Sequence, residues 1–190
     1  ICKIILIGDP QVGKTSFINY FCENKVATNT IRNSIGVDFR CKEVSLIIQH
    51  QIVQFKLQLW DKLNEHQFYP ERVQQFYNNV HGVFVLFDLT RRASFEQLQQ
   101  TILHANLNND VKLAIVGTKT DGNRQVSMQE AVQFAQQYNA QYFEVSSATG
   151  QGIQECVHTF MSQIFTSDSY QEQIKMQRIE DRILKDDKPN

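Results

Sequence analysis

Ile4-Ile5-Leu6-Ile7-Gly8-Asp9-Pro10-Gln11-Val12-Gly13-Lys14-Thr15 is the stretch on which the reading of this chain turns. The apolar run Ile4–Ile7 shows no period-two alternation, so it reads as a strand covered on both faces, as in a parallel sheet flanked by helices. The run stops at Gly8, and the next residues satisfy GxxxxGK[ST] in full. Lys14 to about Glu23 then carries Phe17, Ile18 and Phe21 at helical spacing. A strand, a glycine-bounded loop and a helix start in that order form a phosphate cradle. Successive backbone N–H groups turn toward one anion, and the positive end of the helix faces it. Gly13 allows close approach, Lys14 supplies a full charge to the β- and γ-phosphates, and the Thr15 hydroxyl suits Mg²⁺. Gly8, Asp9, Pro10, Gln11, Val12, Gly13, Lys14, Thr15 and Ser16 are therefore the candidate phosphate and metal contacts.

Outward from this stretch, strand and helix patterns alternate. Val37 to Asp61 reads as two strands, the first carrying Phe39, Val44, Leu46 and Ile48 and the second Ile52, Phe55, Leu57 and Leu59, with Gln49-His50-Gln51 as the turn between them. Val83–Phe87 is a second buried strand. Phe95, Leu98, Ile102 and Ala105 follow as one helix. Leu113–Val116 is a third buried strand, ending at Gly117. Ala131, Phe134, Ala135 and Tyr138 mark a helix, Tyr142–Val145 a short strand, and Ile153, Cys156, Val157, Phe160 and Ile164 a last helical stripe. This alternation predicts an α/β fold with a mostly parallel sheet and helices on both faces. Ligand loops then belong at the carboxyl ends of the strands, after Ile7, Phe87, Val116 and Val145.

The composition sets bounds. The chain has 190 residues and a net charge of −1, which gives no basic excess for general nucleic-acid binding. Hydrophobic residues make up 42%, enough for one sizeable core. No stretch reaches the roughly 18 apolar residues of a membrane span. Cys2, Cys22, Cys41 and Cys156 form no CxxC pair or zinc spacing, so they read as reduced thiols of a cytoplasmic protein. Two segments are expected: a domain over 1–166 and a tail over 167–190 with five basic and six acidic residues. The tail reads as a helix with two narrow apolar stripes, either resting on its own domain or clamped by a partner protein.

The ordered segments resemble the Rab branch of the Ras-like small GTPases over about residues 2–165. Ile35-Gly36-Val37-Asp38-Phe39 is similar to the segment after the first switch. Lys56-Leu57-Gln58-Leu59-Trp60-Asp61 is similar to the strand before the second switch. Val85-Leu86-Phe87-Asp88-Leu89-Thr90 and Ala93-Ser94-Phe95 complete the series. The resemblance implies a P-loop fold with a six-stranded sheet, GTP or GDP as ligand, Mg²⁺ as cofactor, and protein effectors or assembly subunits as partners. It implies Mg²⁺ contacts at Thr15 and Ser34, with Asp61 behind them. Thr118-Lys119-Thr120-Asp121 stands for NKxD. In it Asp121 accepts from the guanine N1–H and amine, Lys119 lies over the base, and Thr118 replaces Asn. Ser146-Ser147-Ala148 stands for SAK, without its Lys. Phe39, Trp60 and Phe76 match the aromatic partner surface.

The second switch departs from the family pattern. Asn64 replaces the Gly that closes on the γ-phosphate, and Glu65, at the catalytic position, replaces the Gln that orients water. A carboxylate about 4 Å from a phosphate charge is repelled by roughly 4 kcal/mol at an effective dielectric of about 20. Pro10 narrows the approach of an arginine finger. These departures imply guanine-nucleotide binding with slow or absent hydrolysis, and a weaker hold on the base than a standard Rab. The chain shows no Cys after Cys156, so a terminal prenylation site is not expected if Asn190 is the end. That combination resembles atypical Rab-like subunits of large assemblies, including ciliary ones. Two other readings stay open: an active switch in vesicle transport, and a nucleotide-free structural protein.

Overall fold

The computed structural model describes residues 1–24, 38–48, 51–61, 77–108 and 110–166. Ser34, Asn64, Glu65, Phe76 and the whole tail lie outside the described residues. The elements run β1 (Cys2–Ile7), α1 (Lys14–Glu23), β2 (Asp38–Ile48), β3 (Gln51–Asp61) and β4 (Gly82–Asp88). They continue with α2 (Arg92–Glu96), α3 (Leu98–Ala105), β5 (Lys112–Thr118), α4 (Met128–Gln137), β6 (Gln141–Val145) and α5 (Ile153–Thr166). Six strands form one sheet in the order β2-β3-β1-β4-β5-β6, with β2 antiparallel to β3 and every other pair parallel.

The unbroken apolar runs follow from this layering. Ile4 and Leu6 of β1, Phe84 and Leu86 of β4, and Val116 of β5 point into one cluster with Phe17 of α1 and Phe160 of α5. Their neighbours Ile5, Ile7, Val85, Phe87 and Ile115 point into a second cluster with Leu98 of α3 and Ala131 of α4. Each strand residue meets a helix layer on one side or the other, so no position needs a polar side chain. Phe84 links the first layer, its ring lying 5.5 Å from Phe17 and 4.7 Å from Phe160. Local signals agree: Ser127 and Glu130 form a reciprocal capping box at the start of α4.

Three expectations are corrected. Gln51 belongs to β3, paired with Ile48, so it is not a turn residue. The ladder of the long hairpin carries one pair further than the residue types suggested. The single helix expected over Phe95–Ala105 is divided at Gln97, whose N–H reaches both Ala93 O and Phe95 O. Its backbone stays right-handed at φ −81°, and Thr101 N–H still bonds Gln97 O at 3.0 Å, so the axis is loosened without ending. β5 also runs on through Gly117 to Thr118, which places Thr118 in the sheet. Cys2 and Cys156 are buried, Cys22 is half-buried and Cys41 exposed, all as free thiols. No described helix is long and apolar enough to cross a membrane.

Candidate nucleotide site

β1 is central, with β3 on one side and β4 on the other, so its carboxyl end opens at a topological switch point. The loop from Gly8 to Gly13 leaves there. A Cβ at Gly8 would lie 2.2 Å from the Leu86 carbonyl oxygen, so the backbone passes β4 at a distance only glycine allows. Gly13 caps α1 in the left-handed region at φ 101° and contributes no side-chain cap, and the first turn holds no acidic residue. The first N–H groups of α1 are thus left for a ligand to meet.

Lys14 lies across this loop. Its ammonium donates to Gly8 O at 2.7 Å and Asp9 O at 2.8 Å. Burial pushes its pKa down, Asp61 and Asp9 push it back up, and the charge of Arg91 lowers it again. The Thr15 hydroxyl donates to the Asp61 carboxylate, and Asp61 is buried at the end of β3. A hydroxyl and a carboxylate in contact are hard oxygen donors, the set that suits Mg²⁺. Among the described residues no group of three or more His, Cys, Asp or Glu could hold a metal. The Thr15 and Asp61 oxygens are two donors of the kind a hard cation takes.

The segment expected to meet the base is joined to the loop expected to meet phosphate by one hydroxyl. Thr118 is buried, and its Oγ1 lies 2.6 Å from Val12 O and 2.9 Å from Phe87 O, able to donate to either. The substitution of Thr for Asn thus leaves a polar tether between β5 and the phosphate loop. Ser146 Oγ donates to Asp121 Oδ1 at 2.5 Å and accepts from the N–H groups of Ala148 and Thr149 at 3.2 Å. Thr120 N–H bonds Val145 O at 3.3 Å, which holds the loop after β5 against β6. Ser147 is half-buried beside them and Ala148 is exposed. Arg124 pairs with both oxygens of Glu144, at 2.8 and 2.5 Å, and pins the same loop from outside.

The sequence reading placed a ligand loop after Phe87 but gave Asp88 and Arg91 no role in it. Lys119, in the left-handed region at φ 61°, puts its ammonium 2.5 Å from Asp88 Oδ2. Asp88 Oδ1 accepts from the N–H and the hydroxyl of Thr90. Burial works against the Asp88 charge, but the bonds from Lys119 and Thr90 outweigh it and hold its pKa below the usual carboxylate range. Arg91 donates to Pro10 O at 2.9 Å and lies 3.8 Å from Asp9. The available signal was a charged residue closing an otherwise apolar strand at the switch point.

At the partner surface, Phe39 is 46% exposed and stacks on Trp60 with ring centres 4.6 Å apart. The Lys3 ammonium sits 4.5 Å from the centre of the Trp60 ring. β2, β3 and β1 each contribute one of these groups, so Trp60 is braced by neighbouring strands and Phe39 is the more open ring.

A glycine-bounded loop at the carboxyl end of β1, opening a helix under a mostly parallel sheet, defines a P-loop α/β protein. The Ras family model matches residues 3–166, and the chain belongs to the Ras family. The Ras-related protein rab-39 of Caenorhabditis elegans is 34% identical over 170 residues, covering 85% of this chain and 72% of that protein. Bovine Ras-related protein Rab-27B is 30% identical over 173 residues, covering 85% and 78%. Human Ras-related protein Rab-26 is 30% identical over 155 residues, covering 80% of this chain and 59% of that protein. The chain is thus a Rab-like small GTPase. Proteins of the Ras family generally bind guanine nucleotide with Mg²⁺ and act through effectors.

Proposed function

We propose that this chain binds GDP or GTP with Mg²⁺, hydrolyses GTP slowly or not at all, and presents Phe39, Trp60 and Phe76 to protein partners in trafficking or within a larger assembly. The observation that carries the reading is the Thr118 hydroxyl between Val12 and Phe87, with Asp121 held by Ser146 a short way along the same loop. The phosphate-facing and base-facing groups thereby form one connected unit.

In this reading the backbone N–H groups of Asp9 and of Gln11 to Ser16, with the Lys14 ammonium, would hold the phosphates. Thr15, Ser34 and Asp61 would serve the metal, which would supply neutralisation of phosphate charge. Asp121, exposed and bonded at Oδ1 by Ser146, would accept from the two donors on the guanine edge, a donor pair that adenine lacks. Lys119 would exchange part of its bond to Asp88 for contact with the base, and the Ser147 N–H would serve the guanine oxygen. Ser146 orients Asp121, and Ala148 leaves the side normally covered by Lys open. The slow step rests on Glu65 and Asn64 at the positions of Gln and Gly, and on Pro10 in the loop. The domain is proposed to span 1–166, with 167–190 as a charged tail. The ciliary assembly among the expectations gains no support from the relatives.

Purified full chain should release guanine nucleotide on denaturation, read by mass spectrometry. Single-turnover hydrolysis of labelled GTP should be slower than that of an ordinary Rab measured beside it. A rate equal to that control would favour the active switch. A preparation without nucleotide that fails to load GDP would favour the structural reading.

A further inference from the structure

Gln11 occupies the left-handed region at φ 65°, although it is not glycine. Such a residue is uncommon there because its Cβ crowds the backbone. Its φ is set by the plane of the Pro10–Gln11 peptide. Arg91 bonds the carbonyl of that same peptide, its guanidinium donating to Pro10 O at 2.9 Å with the Asp9 carboxylate 3.8 Å away. The described residues contain no cis peptide, so the Gln11 N–H points opposite to the Pro10 carbonyl, away from Arg91.

We propose that Arg91 is a positioning residue: by holding the Pro10 carbonyl from outside, it keeps Gln11 in its left-handed conformation with its N–H turned into the phosphate side of the loop. This rests on the nucleotide-binding reading above.

The platform that presents Arg91 is rigid. Arg91 N–H bonds Asp88 O at 3.0 Å, and Ser94 bonds Arg91 O through its N–H at 3.0 Å and its hydroxyl at 2.7 Å. The Ser94 hydroxyl also accepts from Asp88 N–H at 2.9 Å and is buried. Asp88 in turn holds Lys119. The loop after β4 thus grips the phosphate loop with Arg91 and the base loop with Asp88. A charge-assisted bond to one carbonyl is strong enough to oppose the strain of one left-handed residue.

The full chain is tested as wild type, Arg91→Ala, Arg91→Lys, Gln11→Gly and Arg91→Ala/Gln11→Gly, by release of a fluorescent GDP analogue. Arg91→Ala should speed release by roughly five- to thirty-fold, the factor matching ~1–2 kcal/mol of left-handed strain. Arg91→Lys should restore part of the loss. Gln11→Gly in the Arg91→Ala background should bring release back to within about threefold of wild type, since glycine takes positive φ freely. Unchanged release in Arg91→Ala, or a loss that glycine does not relieve, overturns the proposal. If wild type takes up no nucleotide, the nucleotide reading fails by itself. The positioning role is then read in ligand-free protein by hydrogen exchange over residues 8–13. Exchange there should quicken in Arg91→Ala and slow again in the double variant. Equal exchange in all variants overturns it.

Discussion

Thr118→Val removes one buried oxygen and changes almost no volume. In the wild type that oxygen lies within hydrogen-bond reach of Val12 O and Phe87 O, and the side chain is 2% exposed. A typical internal hydrogen bond contributes about 0.5–1.5 kcal/mol net, and a buried acceptor left short of its partner costs about 1–3 kcal/mol. Both carbonyls border regular elements, so the lower part of that range applies, and ~1–2 kcal/mol is expected. For a domain of this size each kcal/mol moves the melting temperature by about 2–4 °C, giving a fall of about 2–8 °C. The same loss at the joint between loop and sheet should speed GDP release by roughly five- to thirty-fold. The assay is thermal melting and nucleotide release on the full chain, with Thr118→Ser as the control. Serine keeps the hydroxyl and loses a methyl, so it should retain nucleotide better than valine does. If the valine variant melts at the wild-type temperature and releases GDP at the wild-type rate, the hydroxyl is not a tether.

Gly8→Ala should fold poorly or melt at least about 3 °C lower, because its Cβ would meet the Leu86 carbonyl oxygen at 2.2 Å; wild-type melting would contradict the close approach of the loop to β4. Asp121→Asn should weaken guanine nucleotides and favour xanthine nucleotides in competition binding, and an unaltered base preference would remove Asp121 from the base site. The Asp88 carboxyl lies below its ordinary value when folded, so its stabilising effect is complete above the unfolded value and is lost as pH falls through the folded one. Stability should therefore drop with acid below the usual Asp range, and Asp88→Asn should flatten that part of the melting-versus-pH curve.

The residues that made the fold legible are those whose neighbours are the same on both faces. Ile4–Ile7 and Val83–Phe87 are apolar at every position because each lies between two helix layers, and the run itself states this. Phe95–Ala105 was harder: its apolar spacing survives the loosening at Gln97, which is a matter of shared backbone bonds and leaves no mark on side-chain type. In the candidate site, Lys14 and Thr15 were legible from the loop motif and Asp61, Asp121 and Ser146 from the family resemblance; the structure brings Thr15 to Asp61 and Ser146 to Asp121. Asp88 and Arg91 could not be found that way. Their partners are Lys119, far along the chain, and the backbone of Pro10, and a carbonyl looks the same in every residue.

The departures at Thr118 and Gln11 bear on how such a site tolerates change. What the chemistry needs at the joint between β5 and the loop is a buried donor aimed at a carbonyl, and a threonine hydroxyl supplies it as an amide would. What it needs at position 11 is an inward N–H, and a guanidinium on the outer carbonyl can impose that where glycine is absent. Neither requirement involves the attacking water. The residues proposed to set hydrolysis, Glu65 and Asn64, lie outside the described residues. If the two tethers act on the hold on nucleotide alone, retention and turnover are separable. Substitutions at Thr118 or Arg91 should change how long nucleotide stays without altering single-turnover hydrolysis of what remains bound, and a change at Glu65 should do the reverse.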